Sequence, residues 1–433
     1  MPLKRGIIDE KKSGIYRHST LIPYGHFCFS LQGKDSKLSL FLITGLMLGY
    51  ILTRSRYGFA GGVRRIYFTG DGSMTRALLL MLALSLIGTA GIHYGAVQRG
   101  AVVAFKAAEE EMIIPGTGNV QNASLATIIG GILFGIGMIF GGGCASGTLT
   151  DSGEGEARGW IVLLFFILGS MLGLVNLDWW DNSAFSKLGI QIYLPDVFGY
   201  IGAVLISLLL LLIIYIFANN YEDKRRRDGT LIEEEYEEWQ KPLPRAENYK
   251  FFSMETYHKF FVQRWSFTAG AILMTIVFIF IINSTGSSWG VTSPFALWGI
   301  WLFDKIGVDF SANPAFASAV KTVNNGLLNH PATLRNLGII FGSAIAFLLA
   351  GNFKFNFDFK GKDVLFYAIG GILMGYGARV AKGCNAGALY SGIANFSLSG
   401  WFFLIGMTIG GIIGSKIFEN VFLKDKKEIV AEK

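Results

Sequence analysis

The stretch IGGILFGIGMIFGGGCASGTL, residues 129–149, returns 240 residues later as IGGILMGYGARVAKGCNAGAL, residues 369–389. Between Gly130 and Leu149 ten of twenty positions match their partners, among them Gly143/Gly383, Cys144/Cys384 and Gly147/Gly387. Glycine richness alone does not hold one offset over such a distance. A repeat of this kind in a membrane protein marks two half-structures that meet at a shared pathway, which directs attention to the pair of thiols.

Around the two copies the chain is 52% hydrophobic and 16% charged, with its apolar residues gathered into runs. A soluble domain does not have that composition, and the chain reads as an all-α integral membrane protein. Nine spans are expected, at 38–52, 77–97, 125–140, 160–177, 197–218, 267–282, 337–350, 364–380 and 401–418. Several fall short of the roughly 20 residues needed to cross hydrocarbon, so their ends extend into the flanking segments. The net charge of +7 fits lysines and arginines gathered in cytoplasmic loops and calls for no nucleic acid. The start, MPLKRGIIDEKKSGIYRHST, lacks a short apolar core with a cleavage site, so no removable signal peptide is expected.

Residues 1–37 form a polar leader, 38–218 a first membrane half, 219–265 a charged linker, 266–420 a second membrane half and 421–433 a charged tail. The Lys224-Arg225-Arg226-Arg227 cluster directly follows a span and sets that side as cytoplasmic. The first copy's helix is the third span and the second copy's is the eighth. Five crossings separate them, so the copies run in opposite directions and the halves are inverted repeats. The same count puts the loop 53–76, with Arg54, Arg56, Arg64, Arg65 and Arg76, in the cytoplasm. It also puts the basic leader outside, a conflict that an entering segment near 21–31 would remove.

The runs Gly141–Gly147 and Lys382–Gly387 are poor helix continuations, since each interior glycine costs about 1 kcal/mol relative to alanine. Non-helical backbone at membrane depth survives only where protein or a water-filled cavity surrounds it. Broken or re-entrant segments are therefore expected, whose restarting helices aim free N–H groups at the centre and hold an anion there without a metal. A lone membrane cysteine is commonly a small core residue. Two that follow Gly143 and Gly383 at one offset point to function, as weak donors suited to a soft sulfur atom. Ser146 and Asn385 stand beside the thiols, and Arg379 and Lys382 lie within a turn or so of Cys384, where they draw an anion or snorkel to the interface. Gly131/Gly135 and Gly371/Gly375, at four-residue spacing, are expected to allow close helix packing. Asp151, Glu154 and Glu156 read as a solvated turn. The histidines have no ligand spacing and neither a phosphate-binding loop nor a serine-nucleophile arrangement occurs, so no metal, no cofactor and no enzymatic activity are expected.

On these residues the chain resembles the YeeE/YedE family of bacterial membrane proteins, also called the sulfur-transport family. Three separated blocks carry the likeness: the two copies and RSRYGFAGGVRRIYFTGDGSMTRALLL, residues 54–80. SGIANFSLSGWFFLIG, residues 391–406, is especially similar to the YedE branch. The resemblance implies a multi-pass transporter of the bacterial inner membrane that takes up a small sulfur-containing anion. Thiosulfate is the substrate of characterised relatives, and the YedE branch is linked to selenium metabolism. By motif position Cys144 and Cys384 carry over as thiols that pass the anion along near the midplane. Relatives commonly have a cysteine in the equivalent of RSRYGF, where this chain has Gly58; Cys28 lies outside the matched blocks. A soluble sulfur-carrier protein could trap the anion at the cytoplasmic face. Two other readings stay open: a sulfur-relay component that forms a cysteine persulfide, and a non-transporting membrane scaffold.

Overall fold

Hydrocarbon offers no partner to a peptide group, so apolar runs at membrane depth satisfy their backbones as helices. The computed structural model describes residues 36–232, 236–244 and 251–431; the leader, with Cys28 and the segment 21–31, lies outside the described residues. Among the described residues eight helices are long and apolar enough to cross a membrane. The pair Gly361–Val380 and Asn385–Ala394, bent by 43° at the second glycine-cysteine run, supplies the ninth.

In chain order the elements that build the core are α1 (Ser36–Ser55), α2 (Gly61–Thr69), α3 (Ser73–Val97), α4 (Leu125–Phe140), α5 (Ala145–Glu154), α6 (Ala157–Val175) and α7 (Leu194–Arg227). Then follow α8 (Phe267–Thr285), α9 (Ser293–Lys305), α10 (Pro331–Leu349), α11 (Gly361–Val380), a π-helix (Asn385–Ser391) with one further turn (Gly392–Ala394), and α12 (Leu398–Ala431). A short ribbon, Asn122–Ala123 against Ile190–Gln191, ties two connections together.

Glycine contacts fix how the halves are oriented. A Cβ on Gly130 of α4 would lie 2.6 Å from the nitrogen of Ala381, just past the end of α11, and one on Gly137 would lie 2.6 Å from the carbonyl oxygen of Gly370. Low numbers on one helix meet high numbers on the other, so α4 and α11 cross antiparallel, backbone against backbone. Their other glycine faces pack parallel neighbours. Gly131 lies against Phe403 and Met407 of α12, and Gly371 and Gly375 lie against Val162, Phe166 and Ser170 of α6. Gly45 of α1 meets Arg335 and Gly338 of α10, and Gly49 meets Ile339, which makes that pair parallel as well. Every one of these directions agrees with nine crossings and with inverted halves. The four-residue glycine spacing serves close packing, and it does so between the halves, which are interleaved through α4–α12 and α6–α11.

Two features establish which end is which. Glu222 of α7 is joined to Arg76 at the start of α3, and Arg225 Nη2 donates to the Phe68 carbonyl at 3.2 Å. The basic end of α7 and the arginine-rich 53–76 loop thus share one face, the cytoplasmic one by the charge rule. Aromatic pairs fill the middle, Phe134 with Phe403 at 5.7 Å and Phe166 with Phe295 at 4.7 Å between ring centres.

Candidate anion pathway

Both copies break in the same way. Gly142 and Lys382, again 240 residues apart, take left-handed backbone, φ +76° and +58°. Glycine tolerates this conformation; lysine holds it against the Cβ penalty. Two residues on, Cys144 and Cys384 are extended and cap the helices that follow, with Thr148 N–H donating to the Cys144 carbonyl and Ala388 N–H to the Cys384 carbonyl, each at 2.7 Å. Leu389 N–H also reaches the Cys384 carbonyl, at 3.2 Å, the wider ring of a π-helix, a form that recurs at functional sites. Because α4 and α11 are antiparallel, α5 departs toward the cytoplasmic face and the π-helix toward the opposite one. Two positive helix ends therefore converge on the middle of the protein.

The two thiols occupy that middle. Each is 1% exposed, both are free, and α5 touches the π-helix. Cys144 Sγ is 3.3 Å from Ser146 Oγ, within one buried pair. The backbone N–H groups of Gly387, Ala386 and Val291 are directed at the Cys384 sulfur, and Cys144 lies within electrostatic range of it. Asn385, fully buried, reaches back across the seam to Met138 Sδ of α4 at 3.8 Å, while its Oδ1 has no partner. Gly143 and Gly383 are both buried immediately before the thiols. The site therefore offers amide donors, thiols and one unsatisfied amide oxygen, with no carboxylate among the groups named.

A second pair of segments closes around this centre, of which the sequence motifs pick out only the one with Gly58. Tyr57-Gly58-Phe59 follows α1, and Trp289-Gly290-Val291 follows α8 at the corresponding place in the other half. The Phe59 ring lies 5.8 Å from Trp289 and 5.9 Å from Tyr390 of the π-helix, so the two loops meet. A Cβ added at Gly58 or at Gly290 would meet nothing within 4 Å, although the residues flanking both glycines are buried. Open space thus reaches inward to both loops. The aromatic-glycine-apolar triplet after the first helix of each half was the available signal for Gly290.

The Gly290 loop is held from behind by three side chains. Arg335, 1% exposed, donates from Nη1 to the Ser288 carbonyl at 3.0 Å and stacks over the Phe41 ring. Asn336 donates to the Val291 carbonyl at 2.7 Å, and Arg379 to the Thr292 and Ser293 carbonyls at 2.9 and 3.1 Å. Arg379 is therefore bound to the carbonyls at the end of this loop rather than to Cys384 itself. Lys382 is exposed and its ammonium lies 2.6 Å from Asp181. The acidic turn after Cys144 is only partly solvated, with Asp151 and Glu156 half-buried and Glu154 buried. Glu154 is 6% exposed, takes hydrogen bonds from Thr53 and Arg56, and Asp151 is paired with Arg158 at 2.7 Å. Arginines distant in sequence reach these carboxylates, which local composition does not reveal. No cluster of metal-ligating side chains occurs among the described residues.

A family model described as Sulphur transport matches residues 54–413. The thiosulfate transporter TsuA of Escherichia coli is 25% identical over 375 residues, 85% of this chain and 91% of that protein. TsuA of Spirochaeta thermophila is 25% identical over 390 residues, 84% of this chain and 95% of that protein. The probable transporter YedE of Escherichia coli is 31% identical over 159 residues, which is 37% of this chain and 39% of that protein.

Proposed function

This chain belongs to the sulphur-transport family, and from that premise we propose that it carries a small sulfur-containing anion of the thiosulfate type, or a selenium analogue, inward across the bacterial inner membrane. One observation carries the reading: Cys144 and Cys384 cap two half-helices that begin at the centre and leave in opposite directions. An anion entering between them meets two helix N-termini, each worth about half a positive charge. Its terminal sulfur is exchanged from one thiol to the other through weak S–H hydrogen bonds, with no covalent adduct. The amides of Ala386, Gly387 and Val291 supply the remaining donors, so the dehydrated anion is bound without being trapped by a fixed full charge. A soluble sulfur-carrier protein on the cytoplasmic side would draw the flux inward.

Gly58 bears on which anion passes. The open space beside it replaces a thiol common in relatives, and suits a larger or differently shaped anion at the cytoplasmic end. The test is uptake of thiosulfate and its analogues into proteoliposomes by the parent, Cys144→Ala and Cys384→Ala proteins. Each variant is expected to lose uptake while keeping its fold; transport at the parent rate by both would reject the thiol pathway.

A further inference from the structure

A cavity of about 730 Å³ opens between α7, the α2–α3 hairpin and α12, and its course runs from the cytoplasmic face to the wall of the constriction. Its inner end is Phe59 and Tyr390, the rings that flank Gly58 and the π-helix; its sides are apolar, with Leu82, Ile214 and Met407; its mouth carries Lys224. The size is that of a ligand site, and the shape, apolar within and basic at the rim, matches an amphiphile with an anionic head. Lys224 is exposed and has no carboxylate partner among the described residues, while the neighbouring Arg225 spends its guanidinium on the Phe68 and Thr230 carbonyls. Bonded only to neutral carbonyls, Arg225 keeps its charge, so with Lys224 it outweighs the negative charge of Glu419, which accepts a hydrogen bond from Tyr67 at 3.3 Å.

We propose that this cavity is a site for one anionic phospholipid of the cytoplasmic leaflet, with its head group on Lys224 and an acyl chain ending against Phe59 and Tyr390. Tyr390 is tied to Ser85 by a 2.7 Å hydrogen bond, and the Phe59 ring rests on Trp289. A chain packed behind these rings supports the wall of the path from the lipid side. An empty cavity would leave the wall unsupported, since a void forfeits the contacts its lining would otherwise make.

The experiment is native mass spectrometry of delipidated protein titrated with phosphatidylglycerol or phosphatidylcholine, a readout independent of any transport activity. One tightly retained phosphatidylglycerol per chain is expected. Lys224→Gln should weaken its retention about fivefold, the effect of one basic residue at an anionic lipid. Ala218→Trp, which fills the cavity, should abolish it, and Leu164→Trp, in a separate apolar cavity lined by Trp160 and Trp298, should not. Equal retention of the two lipids by the parent, or undiminished phosphatidylglycerol binding by Lys224→Gln and Ala218→Trp, would overturn the assignment.

Discussion

Replacing Gly377 by alanine probes the antiparallel glycine seam directly. The added methyl would sit 2.6 Å from the Gly130 carbonyl oxygen and 2.8 Å from the Phe134 nitrogen, backbone atoms that no rotamer change can move aside. Ordinary contact begins near 3.4 Å, so α4 and α11 must part by about 0.8 Å, and overpacking of that kind costs roughly 1–3 kcal/mol. Alanine also gains helix propensity over glycine, which blurs a single measurement. Gly91 of α3 supplies the control, since it is exposed and a Cβ there meets nothing within 4 Å. Gly91→Ala should stabilise by about 0.4–1 kcal/mol. The propensity gain is common to both variants and cancels in their difference, leaving about 1–3 kcal/mol from the seam alone. Reversible unfolding in detergent reads the stabilities, and uptake per folded protein reads the consequence for the thiols. If Gly377→Ala proved as stable as Gly91→Ala, the helices do not meet through glycine and the reasoning fails.

Three further outcomes follow from the geometry. Gly58→Cys should fold within about 0.5 kcal/mol of the parent, because its side chain enters open space, and should raise thiosulfate uptake; uptake at the parent level would remove Gly58 from the path. Gly142→Ala should lose about 1–2 kcal/mol, since φ is +76° and the methyl meets Arg158 Nη1 at 2.6 Å, whereas Lys382→Gly should be neutral or stabilising in a melting experiment and should retain uptake. Asp71, in the cytoplasmic loop, titrates below its ordinary value: burial raises it, but hydrogen bonds from the Ser73 N–H, Arg65 and Ser73 Oγ outweigh that. A depressed carboxyl contributes stability above its unfolded value of 3.8 and gives it up as pH falls through the lower folded value. Protection of the 61–76 amides, taken relative to their intrinsic exchange rates, should therefore fall only below about pH 3.8, and Asp71→Asn should flatten that dependence.

What the sequence makes legible is whatever the repeat encodes twice. The spans, their odd spacing and the helix breaks at Cys144 and Cys384 follow from apolar runs and one constant offset. The partners of Glu154 do not, because Arg56 and Thr53 approach from 98 and 101 residues away. Arg335 is similarly hidden: nothing in the apolar run around it reveals that it is buried and serves a loop 47 residues upstream. Gly290 escapes notice because only the glycine of its triplet is identical to Tyr57-Gly58-Phe59, the aromatic-glycine-apolar pattern being a weak signal, and an inserted helical segment before α10 shifts the offset. For Lys382 the sequence leaves two readings open, since closeness to Cys384 does not reveal that a left-handed turn carries its side chain out to Asp181.

The odd number of crossings also explains why α7 exists. Four spans lie before it and four after it, and it has no counterpart in the other half. Only 22% of its apolar window is buried, the least of the eight apolar helices described, so its contribution to the packed core is small. Its effect is topological: without it the two copies would be separated by four crossings and would run parallel. One half-helix would then present its C-terminus to the centre, where the dipole repels an anion that the other attracts. With α7 in place both N-termini face inward and their fields add, while the glycine seam of α4 and α11 keeps them close enough to act on one small ion. The peripheral helix and the central glycines thus serve the same end, one setting the sign of the field at the thiols and the other its strength.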